Sequence, residues 1–296
     1  MTAATDLETA DESLTGGGRR REVDVDRGRS VSYVEYGDPR GTPLVFLHGT
    51  PGSALLGGLF RERARQADTR VLAVDRPGYG RSASWPDRTL RDTGDFVVPV
   101  LDDAGVAAAD VVGFSGGGPH ALAVATTHPD CVRNLHVVGG VAPPSLRERT
   151  PTMQRTLSGL AERVPTLVRG LVRAQAWIAD RRPPSFVVAQ YTDGNGDTIP
   201  DDVAQVVSRD FVASVSTRRS GVVHELRMLN GSWASFLDDV DRPVRLWHGT
   251  RDTNVPIENA HNVRDRLPDA RIEVFDDADH LGSLLRSRSP ILEGDR

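Results

Sequence analysis

The sequence predicts an α/β protein: a mainly parallel, doubly wound sheet with an N-terminal antiparallel hairpin and an inserted helical lid. Continuous apolar runs bounded by turn residues recur at 43–47, 71–74, 110–114 and 135–138, as strands buried on both faces require. Segments of helical spacing at 54–67, 90–104 and 117–127 lie between them, which is the rhythm of a doubly wound sheet. From 142 to 231 that rhythm stops and only helical spacing is found.

Composition narrows the chemistry. The chain has 296 residues, 38% hydrophobic and 26% charged, which fits a globular rather than a disordered protein. Its 36 basic and 41 acidic residues sum to −5, so a broad cationic face for nucleic acid is not expected. No run approaches the roughly 18 apolar residues of a membrane span. The partner expected is a small-molecule substrate, with neither nucleic acid nor membrane; oligomeric state is not legible. Cys131 is the single cysteine, so an intramolecular disulfide and thiolate metal clusters are excluded. All 36 basic residues are arginine, which stays protonated and cannot form a Schiff base. Pyridoxal enzymes, lysine aldolases and Walker-type nucleotide hydrolases are thereby excluded.

Along the chain, residues 1–21 lack apolar periodicity and end in glycines and arginines. They read as a mobile tail with no signal or anchor pattern, which together with the lone thiol predicts a cytoplasmic protein. Val23 and Val25, then Val31, Tyr33 and Tyr36, flank the turn Asp26-Arg27-Gly28 and predict the hairpin. In the lid, 142–231, Leu157, Leu160, Val164, Leu167 and Leu171 recur at helical spacing, with Pro165 dividing the segment. Val203, Val207 and Phe211, then Val222, Leu226 and Leu229, continue the pattern up to Asn230-Gly231. The α/β rhythm resumes with strands at 244–247 and 272–275, a helix at 257–267 and a final helix from 281. The core therefore comprises 22–141 and 232–296.

Gly113-Phe114-Ser115-Gly116-Gly117 ends a predicted buried strand and opens a helix, the context required of a G-x-S-x-G nucleophile elbow. A serine hydroxyl needs a base. Of the 8 histidines, His280 lies just past the last predicted strand, where a loop can deliver an imidazole to Ser115. His120, one turn into the helix after Ser115, is the competing base, although its helix should aim it at packing or the lid. His48 and His248 read as loop structure; His128, His136, His224 and His261 read as surface or packing residues. The carboxylate that fixes the imidazole is expected after a strand. Asp252 follows the strand at 244–247, whereas Gly139-Gly140-Val141-Ala142 after the strand at 135–138 holds no acid. A tetrahedral intermediate needs two backbone donors. Gly116 supplies one; the turn His48-Gly49-Thr50-Pro51-Gly52-Ser53 supplies the other through Thr50, or is simply structural.

These segments, together with Asp75-Arg76-Pro77-Gly78-Tyr79-Gly80-Arg81-Ser82 and His248-Gly249-x-x-Asp252-x-x-Val255-Pro256, resemble the α/β-hydrolase fold family over residues 22–290. The resemblance implies a Ser115–His280–Asp252 triad, an oxyanion hole at Thr50 and Gly116, and no cofactor or metal. Serine at the elbow, where dehalogenases and epoxide hydrolases of this fold carry aspartate, implies acyl transfer through an acyl-enzyme. The expected activity is hydrolysis of a carboxylic ester with a small or medium neutral acyl group. One alternative is a proline-iminopeptidase-like enzyme, which would need paired lid carboxylates for the cationic amino terminus; Glu148, Glu162 and Glu225 stand isolated. Another is a ligand-binding member without turnover. Asp193-Gly194-Asn195-Gly196-Asp197 resembles the start of a calcium loop, but Thr198 and Ala204 occupy the places of its turn glycine and closing glutamate.

Overall fold

The computed structural model describes residues 15–148, 152–194, 199–216 and 220–294. Strands β1 (Arg19–Val25), β2 (Arg29–Gly37), β3 (Thr42–Leu47), β4 (Thr69–Val74), β5 (Ala109–Phe114), β6 (Val132–Val138), β7 (Val244–Gly249) and β8 (Ala270–Phe275) form one sheet in the order β1-β2-β4-β3-β5-β6-β7-β8. Strand β2 is antiparallel to β1 and β4, and every other pairing is parallel. The hairpin turns at Asp26–Gly28 as expected. Its first strand starts at Arg19, inside the stretch read as a tail, because Arg19 and Arg20 pair with Glu35 and Val34 across the hairpin. Residues 15–18 of that stretch are also held, with Thr15 buried and its carbonyl accepting from Tyr36 OH at 3.1 Å, and residues 1–14 lie outside the described residues.

Helices α1 (Arg61–Gln66) and α10 (His280–Glu293) cover one face of the sheet, and α2 (Thr93–Asp103), α3 (Gly118–Thr127) and α9 (Ile257–Arg266) the other. The expected helix at 54–67 is two pieces: a 3-10 stretch, Ala54–Phe60, runs into α1. The tighter pitch carries Gly57 close to the sheet, where a Cβ would collide with that of Ala73. The chain passes from β3 to β4 on one side and then crosses to β5 on the other. The carboxyl ends of β3 and β5 are adjacent, with Leu47 in register with Gly113. This is a topological switch point, where ligand sites of open α/β sheets form.

Between β6 and β7 lie α4 (Thr152–Arg163), α5 (Pro165–Ala179), α6 (Ser185–Val188), α7 (Asp201–Ser216) and α8 (Ser220–Leu229). The break falls at Pro165, which takes the first turn of α5, where its missing N–H costs no helical bond. The apolar pattern does not all face inward. Val168, Val172, Ala176 and Ala179 are buried, and Val168 packs with Tyr79 and α8. Leu167 and Leu171 are 47% and 46% exposed, and Val164 is also exposed. The smaller set wins because α5 lies close against α7 and α8. On α7, Val203, Val207 and Phe211 are buried as the spacing predicts. No helix among the described residues is long and apolar enough to cross a membrane.

Replacement of Val168 by Ser is expected to cost about 2 kcal/mol, and of Leu167 by Ser no more than about 0.5 kcal/mol. Urea denaturation of the two variants checks this; equal losses would contradict the assigned helix face.

Candidate active site

Ser115 follows β5 and has φ +52°, the left-handed region that side chains other than glycine rarely adopt. The turn is tight because α3 starts at once: a Cβ on Gly117 would overlap the Leu47 carbonyl. The same closeness brings the turn after β3 against the elbow. The place a Gly116 Cβ would occupy is filled by the Thr50 side chain and lies 3.2 Å from the Thr50 amide nitrogen. Gly116 and Thr50, the two expected oxyanion donors, are thus neighbours.

His280 is the first residue of α10, and Asp279 caps that helix by accepting from Gly282 N at 2.7 Å. Its Nδ1 lies 2.6 Å from Asp252 Oδ2. Asp252 Oδ1 accepts from the amides of Asn254 at 3.0 Å and Val255 at 2.8 Å. Burial opposes ionisation of Asp252, but His280, then His248 and the Val255 amide, outweigh it and hold the carboxyl below its ordinary value. Gly139, at φ +53°, makes room for this pair, since a Cβ there would stand 3.0 Å from His280 Nδ1. The strand end that offered no acid therefore contributes space. His248 is buried, with Nε2 2.8 Å from the Val255 carbonyl; His48 is buried and accepts from Arg76 N at 3.2 Å. His48 is loop structure, as expected, whereas His248 is a residue of β7, in register with Val274, and its Nε2 stands 3.4 Å from Asp252 Oδ2.

Ser115 and His280 line a common cavity of about 60 Å³ beside Thr50. That is far below the ~300–1,000 Å³ of ordinary ligand pockets. Tyr191, Val207 and Asp210, all from the inserted helical segment, complete its wall. Two rings lie near the imidazole, Phe114 at 4.8 Å and Tyr191 at 6.4 Å, the latter nearly parallel at 8°. The Tyr191 carbonyl also accepts from Leu281 N at 3.0 Å. Neither Tyr191 nor Asp210 was singled out by motif or spacing, because each meets the core only through tertiary packing.

Asp210 is buried, and its Oδ1 accepts from Ser53 N at 2.6 Å and Ser53 Oγ at 2.7 Å. Burial raises its carboxyl to about 7; the Ser53 bonds oppose this only in part. His120, the competing base, is buried away from this cavity: Nδ1 lies 2.8 Å from Thr93 Oγ1 and Nε2 3.3 Å from Glu225 Oε1. Burial depresses it to about 4. Glu225 itself is buried between Arg76 and Arg88, while Glu148 and Glu162 are exposed. The three glutamates weighed for an amino terminus thus stay out of the cavity wall. In the loop weighed for calcium, residues 195–197 lie outside the described residues, and Asp193 pairs with Arg251 at 3.2 Å.

Residues 42–287 match the model of the alpha/beta hydrolase fold family. The chain belongs to that family. It is 31% identical over 216 residues to a pimeloyl-[acyl-carrier protein] methyl ester esterase of Aromatoleum aromaticum, covering 72% of this chain and 81% of that protein. A shorter match, 38% identical over 112 residues, is to the dihydrolipoyllysine-residue acetyltransferase component of the acetoin cleaving system of Pseudomonas putida; it covers 38% of this chain and 30% of that protein. Among solved structures, an esterase from Exiguobacterium antarcticum superposes with a TM-score of 0.67 at 20% identity, covering 92% of this chain and 96% of that one.

The raised Asp210 carboxyl has a stability consequence. The unfolded chain releases this proton near pH 4, the folded chain near pH 7. Stability from this group is present below pH 4 and is lost as pH rises through 7. Asp210→Asn should therefore gain on the parent between pH 5 and pH 8 in thermal melts; a constant gap across that range would refute the burial argument.

Proposed function

We propose that the chain is a serine hydrolase that cleaves carboxylic esters of small or medium neutral acyl groups through an acyl-enzyme. The observation that carries this reading is the 2.6 Å contact between His280 Nδ1 and Asp252 Oδ2, with the same imidazole lining the cavity of Ser115. With Nδ1–H donated to Asp252, Nε2 is the ring atom available as a base. His280 takes the Ser115 proton as Oγ attacks the ester carbonyl. The Gly116 and Thr50 amides receive the oxyanion. The carbonyl re-forms as the alcohol leaves with the proton from His280, and water then repeats the sequence on the acyl-enzyme. Asp252 holds the imidazole and favours its charged form. This chemistry draws on no cofactor. The match to a named ester esterase supports ester hydrolysis.

In this reading the helical segment, 142–231, is a lid over the core segments 22–141 and 232–296. The 60 Å³ cavity supports a short acyl group and a lid that shifts to admit it. Cytoplasmic residence belongs to the same proposal and rests on the single thiol. Asp210 favours one second reading: it is a buried carboxylate in the cavity wall, and an aminopeptidase of the iminopeptidase kind would use such a group against an amino terminus. Prolyl and alanyl naphthylamides assayed beside p-nitrophenyl esters separate the two.

Ser115→Ala should lower p-nitrophenyl acetate hydrolysis by at least about a thousandfold, and abolish labelling by a fluorophosphonate probe. Acetate and butyrate esters should be cleaved with higher kcat/KM than octanoate. Ser115→Ala turnover at the parent rate would defeat the assignment, and a parent protein that resists the probe would favour a binding protein without turnover.

A further inference from the structure

Glu225 reaches the core from α8 and is fully buried. Its Oε2 accepts from Arg76 Nη2 at 2.6 Å, Thr50 Oγ1 at 2.7 Å and Tyr79 OH at 3.0 Å. Its Oε1 accepts from Arg88 Nη2 at 2.7 Å and Arg76 Nε at 2.9 Å. The Arg76–Glu225 contact is thus bidentate, which fixes the plane of the guanidinium as well as its position.

That guanidinium grips the turn after β3 at three successive residues. It donates to the His48 carbonyl, to the Gly49 carbonyl at 3.2 Å and to Thr50 Oγ1 at 3.0 Å. The turn needs such a hold, because Gly49 and Gly52 give it wide backbone freedom and Pro51 has no N–H to anchor it. A donor that stabilises an oxyanion must be aimed before charge develops.

We propose that Glu225 is a positioning residue for the oxyanion hole: through Arg76 and the Thr50 hydroxyl it holds the Thr50 amide beside Gly116, so the hole is complete only while α8 is seated on the core. This rests on the reading of Ser115, Thr50 and Gly116 given above. The cluster also carries a charge of useful sign. Two guanidiniums face one carboxylate, and His120 is neutral near pH 7, leaving one buried positive charge behind the turn. Such a charge favours the negative oxygen of the intermediate over the neutral ester.

A purely structural cluster would clip α8 to the core without aiming the turn. Thr50→Val, nearly equal in shape, removes only the hydroxyl and separates the two cases. The proposal expects kcat for p-nitrophenyl acetate to fall about tenfold to hundredfold, with KM within about twofold. A trifluoromethyl ketone, whose carbonyl accepts Ser115 Oγ to form a hemiketal oxyanion, should lose affinity by the same factor, while the melting temperature holds. Thr50→Ser should restore both. Glu225→Gln should lower kcat and ketone affinity in parallel in whatever fraction folds. Parent-like kcat and ketone affinity in Thr50→Val would overturn the proposal, as would a loss confined to KM or a loss that Thr50→Ser does not repair. Turnover that survives Ser115→Ala would instead defeat the catalytic reading on which it rests.

Discussion

The arrangement depends on how closely β3 and β5 lie at their carboxyl ends. Leu47 and Gly113 are in register there, and the Leu47 carbonyl fills the space a side chain on Gly117 would need. Two turns must therefore leave adjacent strands within a few ångströms, and one of them forces Ser115 into a left-handed conformation. Strain of this kind persists only where the surrounding structure over-determines it. Here the elbow is backed by a buried strand and a helix that begins immediately.

Above the switch point the molecule buries charge on a scale uncommon for cores. Arg76, Arg88 and Glu225 are all buried, and burial by itself would neutralise Glu225. The Arg76 guanidinium and the bonds it and His120 make hold that carboxyl well below its usual range. Such a cluster contributes little net stability, since desolvation cancels much of the Coulomb gain, but removing one member leaves a bare charge and costs about 3–5 kcal/mol. Its effect is mainly on geometry. Asp75 does similar work nearby: it accepts from Ala54 N at 2.7 Å, Arg81 N at 3.1 Å and Arg20 Nη1 at 2.9 Å, linking the hairpin, the 3-10 stretch and its own turn.

The centre of the sheet was legible because its strands are short apolar runs between turn residues, a pattern that survives any detail of packing. The proximity of Ser115, Asp252 and His280 was legible because each sits at a strand end or helix start, where backbone topology alone brings distant residues together. The inserted helices were legible as helices but not in orientation. On α5, Leu167 and Val168 are equally apolar neighbours, and only the proximity of α7 and α8 decides which is buried. Tyr191, Asp210 and Glu225 were opaque for a related reason. An isolated acid or ring carries no local signal of a partner distant in sequence, as Glu225 meets Arg76 and Thr50, 149 and 175 positions away.

Tyr191 lies nearly parallel to His280 while its own main chain is tied to the start of α10. The ring belongs to the inserted segment, yet it forms part of the solvent shield of the imidazole. Residue 191 thus joins the inserted segment to the surroundings of His280 twice, by its ring and by its carbonyl, so a displacement of the chain there cannot leave the setting of that imidazole untouched.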